Sequence, residues 1–562
     1  MERPDHAMTL AGRAAARHRG VSRPLALLAL AALPGAVLGV FFVLPVSGMV
    51  ARGFWTDGAF DPGGVAEVLG RPRVHRVLWF TVWSASAATA IAVVLGLPAA
   101  YALHRLEFPG RRLVRAALLV PFVLPTVVVG VAFRELLGES GPLGGLGLDG
   151  TPWAILAGLV FFNAAVVIRT VGAAWEGLDS RPAEAAAALG AGPWRVFRTV
   201  TLPTLRPAIA SAASVVFLFC ATSFGVVLTL GGLRYASVET EIYLLTTNLL
   251  DLQAAAALSV LQIVVVVGLL LVSARLRAIP DAAVRRLPAR PHRPRRSDLP
   301  QLAATALLLA LVAGPIATLV AGSLRTDDGW GLAHYRALDE PGGALLVPVT
   351  DALATSLRTA VDATWMALLL GGLVALVVTR RSRGRAERRL RGLLDGFFML
   401  PLGVSAVTLG FGFLITLDRP PLHLRDSALL VPLAQALVAL PLVVRTLVPV
   451  LGGVDDRLRQ AAASLGAGPA RSVLTVDLPV VWRPLLAAGG FAFAASLGEF
   501  GATAFLARDE APTLPVVIFR LIGHPGAMNY GMALAASVVL AALTAGVMLL
   551  VERLRVPSVG GF

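Results

Sequence analysis

A run of about 20 apolar residues crosses the hydrocarbon core of a bilayer as a helix, and this sequence holds twelve such runs. They lie at 24–50, 77–103, 116–137, 152–174, 207–230, 254–274, 300–322, 352–378, 390–417, 427–449, 485–506 and 527–551. Inside lipid every backbone polar group must be paired within its own segment, so the runs predict helices. A β-barrel would alternate polar and apolar residues over segments of about ten residues instead. Composition agrees: 56% of the 562 residues are hydrophobic, 15% are charged, and the mean hydropathy is +0.76. An ordinary soluble domain is about one quarter charged, so that class is excluded, as is a disordered chain. The fold expected is an all-α polytopic membrane protein of about twelve transmembrane helices. The first run is longer than the roughly 7–15 apolar residues of a signal peptide, and predicts an uncleaved first span.

The net charge is +15, and all 49 basic residues are arginine. The absence of lysine excludes a P-loop lysine and a Schiff base. Cys220 is the single cysteine, which leaves no internal disulfide and no cysteine zinc site. The eight histidines form neither an HxxxH nor an HExxH spacing, so no enzymatic metal site is expected. A basic chain can bind nucleic acid, but here the arginines gather at 1–23, 275–299 and 380–391, between and before spans. The positive-inside rule then places both termini in the cytoplasm. Loop 51–76, with Arg52, Arg71, Arg73 and Arg76, runs against that trend. Contact with anionic lipid headgroups is expected of the basic loops, and nucleic acid is not.

The twelve runs are two sets of six. An offset of 276 residues carries Ala185-Ala186-Ala187 onto Ala461-Ala462-Ala463, and Leu189-Gly190-Ala191-Gly192-Pro193 onto Leu465-Gly466-Ala467-Gly468-Pro469. The same offset relates Leu202-Pro203 to Leu478-Pro479, Arg169 to Arg445, Phe224-Gly225 to Phe500-Gly501, Arg105 to Arg381, and Leu124-Pro125 to Leu400-Pro401. Two six-span copies in the same orientation make a parallel repeat. The first repeat is read as 1–276 and the second as 300–562. An Arg/Pro-rich cytoplasmic linker at 277–299 joins them, with the composition of a flexible tether.

The long loops 176–206 and 452–484 follow the fourth span of each repeat. In the first, Glu184-Ala185-Ala186-Ala187-Ala188 favours helix, and Gly190 can end it in a left-handed conformation. Pro203 is expected to start a second element and Pro207 to open the fifth span. A helix of small residues displayed in this way suits insertion into a partner's groove. Glu184-Ala185-Ala186, then Gly190, then Leu202-Pro203, resembles the signature loop of binding-protein-dependent ABC importer permeases. Gln460-Ala461-Ala462, Gly466 and Leu478-Pro479 repeat it, with Gln460 in place of the acid. The resemblance implies two tandem six-helix type-I permease repeats whose loops dock ATP-binding subunits, two copies of them. It also implies a periplasmic or lipid-anchored solute-binding protein loading solute on the outer loops, notably 231–253 and 507–526. ATP and Mg would sit on the partner, with no cofactor in this chain. Two repeats fused in one polypeptide are similar to the thiamine and ferric-iron importer permeases. The stretches 223–232 and 239–243 look most like the thiamine type.

Intramembrane polar groups are candidate functional residues. Ser223, Phe224, Glu499 and Phe500 are candidates for the substrate path, with backbone bonding an alternative role for Glu499. Asn163, Gln262 and Gln435 suit hydrogen bonds between helices. Arg358 and Asp362 have the spacing of a helix-face ion pair. Pro45, Pro98, Pro125, Pro401 and Pro441 are positioned to kink spans. A competing reading, an ion-coupled secondary transporter of two fused six-helix halves, would need coupling-ion residues in mid-membrane and no docking loop.

Overall fold

The computed structural model describes residues 28–56, 59–232, 234–277, 291–326, 329–340, 345–380, 384–418 and 423–554. The first half is built from α1 (Leu28–Phe54), α2 (Pro62–Gly70), α3 (Pro72–Arg105), α4 (Arg111–Leu119), α5 (Thr126–Leu137) and α6 (Pro152–Glu176). It continues with α7 (Arg181–Ala188), α8 (Pro193–Ala221), α9 (Gly225–Gly231), α10 (Val238–Thr247) and α11 (Leu252–Arg277). The second half follows the same order: α12 (Leu299–Leu324), α13 (Val349–Thr379), α14 (Arg385–Phe398), α15 (Ala406–Thr416), α16 (Leu430–Gly453), α17 (Asp456–Ser464), α18 (Pro469–Leu497), α19 (Thr503–Leu506), α20 (Leu514–Gly523) and α21 (Ala527–Leu554).

Ten helices among the described residues are long and apolar enough to cross a membrane, or eleven if the bent pair α4 and α5 counts as one span. About twelve spans were expected, with Pro125 and Pro401 positioned to kink the third of each repeat. The third runs, 116–137 and 390–417, are not straight. α4 carries Arg111, Arg112 and Arg115 on a short amphipathic helix suited to an interface. The chain then turns by 112° through a 3₁₀ turn at Val120–Val123 before α5. In the second half the 3₁₀ turn Leu400–Gly403 precedes the short α15. Proline supplies no amide to continue the ladder and restricts the residue before it.

These breaks correct the alignment. The two 3₁₀ turns superpose Pro121 on Pro401, and Pro125 falls on Ser405, an offset of 280 residues. α14 is longer than α4 by about one turn, and this insertion shifts the register locally. Ser405 caps α15, its Oγ accepting from the Thr408 amide at 3.1 Å.

Each half has a bundle of three mutually packed helices, α3 with α6 and α8, and α13 with α16 and α18. The first spans cross over. α1 packs along α11 of its own half and α15 of the other, whereas α12 packs along α3 and α5 of the first half and α21 of its own. Much of the linker, 278–290, lies outside the described residues, as does Arg381. The described end of the linker is anchored: the His292 amide donates to the Arg105 carbonyl (3.0 Å), and the Glu107 amide donates to the His292 carbonyl (2.8 Å). Tyr101 donates its hydroxyl to Asp298 at 3.2 Å. Residues 291–299 are therefore not part of a free tether.

Candidate functional site

The loops after α6 and α16 are built alike. α7 and α17 bury no side chain, and each ends on a glycine with positive φ, +86° at Gly190 and +82° at Gly466. The Gly190 amide donates to the Ala187 carbonyl and the Ala191 amide to Ala186; Gly466 and Ala467 repeat this on Ala463 and Ala462. This pair of bonds is the Schellman closure, and only glycine holds its left-handed residue without strain. Glu184 and Ala185 on α7, and Gln460 and Ala461 on α17, are exposed, and Ala186 and Ala462 are partly buried. At the tip stand Leu189 and Leu465, 89% and 88% exposed.

Pro203 does not start a new element. Gly192 and Pro193 open α8, which runs without interruption into the membrane through a π turn at Phe197–Thr201. Leu202 and Pro203 follow the π turn, and Leu478 and Pro479 follow its copy at Val473–Asp477. The wider turn accommodates a proline with no amide to donate. A push on the loop is thus applied to the end of the fifth span itself.

The two loops are not tied down equally. Asp477, 1% exposed, accepts from Arg459 Nε at 2.8 Å and from Arg380 at 3.0 Å. Arg459 also bonds Asp456 (2.8 Å) and the Leu451 carbonyl (3.2 Å). At the same offset the first half has Thr201, Ala183 and His104, which cannot make these pairs. His104 instead lies 2.6 Å from Glu176, at the end of α6.

The fifth runs, read as continuous helices, are broken as well. α8 stops at Ala221 and α9 starts at Gly225; α18 stops at Leu497 and α19 starts at Thr503. A Cβ on Gly501 would meet Ala406 Cβ at 2.9 Å, so glycine lets the break lie against α15. The breaks bring Phe224 and Phe500 together, stacked across the two halves at 5.2 Å and 23°. Tyr243 packs on Phe224 (5.4 Å) and Phe519, its equivalent, on Phe500 (5.4 Å). Four rings in pseudo-twofold arrangement close the seam.

Below the stack, on the side of the loops, a cavity of about 580 Å³ lies between the halves. Ser211, Val215 and Phe219 line it from α8, Phe491 and Ala495 from α18, and Arg169 and Arg445 from the ends of α6 and α16. Beyond the stack a pocket of about 220 Å³ is lined by Tyr243, Phe500, Phe519, Arg520 and His524.

Of the four path candidates, Phe224 and Phe500 meet. Ser223 sits in the first break, where its carbonyl accepts from Ser237 at 3.4 Å. Glu499 is held by backbone, accepting from the amides of Ala502 (2.7 Å) and Thr503 (3.1 Å). The segments 231–253 and 507–526, read as outer loops, contain the helices α10 and α20, which are largely buried. Asp362 accepts from Trp365 at 3.3 Å and forms no ion pair with Arg358. Asn163 donates to Cys220 Sγ at 3.4 Å, a bond between helices as expected. Sequence reading missed Glu239 as a site residue, although the ladder Glu239-Thr240-Glu241 within an apolar neighbourhood was visible. Its carboxylate is fully buried and bonded to Gln262 and to Ser405 (2.9 Å).

The family model for the binding-protein-dependent transport system inner membrane component matches twice, over residues 92–286 and 367–555. The chain belongs to this permease family. The permease is 30% identical over 467 residues to the thiamine transport system permease protein ThiP of Brucella abortus, covering 80% of this chain and 82% of the relative. ThiP of Escherichia coli is 30% identical over 460 residues, with 80% and 83% covered. A probable ABC transporter permease protein of Sinorhizobium fredii, y4fN, is 27% identical over 561 residues, with 94% and 96% covered. The permease is therefore a non-enzymatic, multi-pass inner membrane subunit of an ABC importer, in which ATP hydrolysis belongs to a partner.

Proposed function

We propose that this permease carries thiamine from a periplasmic or lipid-anchored binding protein into the cytoplasm. Two ATP-binding subunits drive it, one on each docking loop. The carrying observation is the pair of equivalent loop tips, where Leu189 and Leu465 stand almost fully exposed on turns closed in the same way. A large apolar side chain held clear of the protein costs about 1.5–3 kcal/mol of unrealised burial, which a docked partner recovers. Glu184, Ala185, Ala186, Gly190, Leu202 and Pro203 form the first docking segment within 176–206. Gln460, Ala461, Ala462, Gly466, Leu478 and Pro479 form the second within 452–484. ATP and Mg are held by the partners. The repeats are 1–276 and 300–562, joined by the linker 277–299.

The arginines at 1–23 and 275–299 favour cytoplasmic termini, with the docking loops on the same side. The larger cavity then faces the cytoplasm and the Phe224–Phe500 stack seals the outer side, with Ser223 and Glu499 shaping the breaks that hold it. Closure of the ATPases draws α7 and α17 together, swings α8 and α18, and parts the rings, which is alternating access. Thiamine is favoured as solute by the ThiP relatives. The test is growth of a thiamine auxotroph lacking its own importer. Expression of this permease with a thiamine importer's ATPase and binding protein should restore uptake of labelled thiamine, and absence of uptake contradicts the substrate.

A further inference from the structure

Resting on that reading, we propose that Glu239 is the site at which the permease receives the positive group of its solute as the halves part. Glu239 lies on α10 of the first half, bonded by the Gln262 amide from α11. Its other oxygen accepts from Ser405 of the second half at 2.9 Å, and Thr408 of that half donates to Gln262 Oε1 at 3.2 Å. All four residues are buried or partly buried, and the seam between the halves runs through the cluster. Tyr243 stands one turn along α10 on the same face, and it packs on Phe224 of the stack. The cluster is therefore about 6 Å along the helix from the closing rings.

The pseudo-equivalent place is apolar. The register of α10 and α20 is set by matching bonds, the Val238 amide to Thr81 and the Leu514 amide to Ser356. In that register Glu239 corresponds to Pro515; across the seam Ser405 and Thr408 correspond to Pro125 and Val128. At this pair of places the near-twofold arrangement has an acid on one side and an apolar residue on the other. Parting the halves removes the Ser405 and Thr408 bonds and leaves a buried carboxylate with one donor. A buried carboxyl left with one donor is costly to ionise, and a cationic group in the solute is the partner that favours the ionised form. An acid on one side only at this level also makes a small solute enter in one orientation.

The test separates charge from latch. Labelled thiamine uptake is measured in cells expressing the permease with its ATPase and binding protein, at matched membrane levels and matched ATPase recovery. Glu239→Gln keeps an acceptor for Ser405 but removes the charge, and should lower uptake more than tenfold. Glu239→Asp should keep at least a third of it. Ser405→Ala removes the cross-half bond and the α15 cap but keeps the acid, and should stay within threefold of wild type at matched membrane level. Equal losses in Glu239→Gln and Ser405→Ala, or wild-type uptake in Glu239→Gln, overturn the proposal while leaving the thiamine reading intact. Failure of the wild-type chain to take up thiamine overturns both. On the wild-type chain, dicyclohexylcarbodiimide should label Glu239 during ATP turnover and excess thiamine should block the labelling. Labelling indifferent to thiamine also overturns the proposal.

Discussion

Phe224 and Phe500 occupy equivalent places, are 6% and 2% exposed, and stack on one another. An aromatic pair of this kind contributes about 0.5–1.5 kcal/mol beyond the area it buries, enough to bias a closed state several-fold. Replacing both by Ala should weaken the outer seal. Basal ATP hydrolysis of the assembled transporter should then rise without binding protein, measured as phosphate release. At Gly190 and Gly466, a side chain in the left-handed region costs about 1–2 kcal/mol and disturbs the exposed turn. Gly190→Leu with Gly466→Leu should reduce ATPase recovery in a pull-down while membrane insertion stays normal; unchanged recovery would contradict the docking role. Both glycines were legible because the Ala run, the glycine and the following proline recur at one spacing. Glu239 was not: its meaning depends on Ser405 and Thr408, which lie on the other half and come near only through the fold.

Elements were legible where one hydropathic run equals one helix, and misread where it does not. The runs at 116–137 and 485–506 are apolar on both sides of their breaks, so average hydropathy passes over them. Pro121, Pro125 and Pro401 mark the third-span breaks, but proline also occurs inside unbroken helices here, at Pro98, Pro207 and Pro441. The distinction lies in what packs against the freed backbone. The π turns before Pro203 and Pro479 were unreadable for the same reason. At this scale the unequal anchoring of the loops has a measurable consequence. Removing one partner of a buried ion pair costs about 3–5 kcal/mol, so Asp477→Ala should lower the thermal midpoint of the purified permease and weaken ATPase recovery. Thr201→Ala, at the equivalent place, should do neither.

The whole molecule is two copies of one unit held by exchanged first spans. α12 lies against α3 and α5, and α1 against α15. Packing of this extent predicts that the linker is dispensable for assembly. Fragments 1–284 and 285–562, coexpressed, should copurify through a tag on either one. The repeat and the basic loops were legible because each is periodic or one-sided along the chain; the crossing of the first spans was not, since lipid-facing and protein-facing apolar residues look alike in sequence. The central claim is that this chain is a pathway driven by a partner's ATP hydrolysis. It is tested most directly by thiamine transport in proteoliposomes holding the permease and its ATPase, with binding protein supplied. Uptake should require ATP and the ATPase and persist when a protonophore collapses the proton gradient. Uptake that stops with the protonophore while ATP remains, or that proceeds without the ATPase, would contradict it.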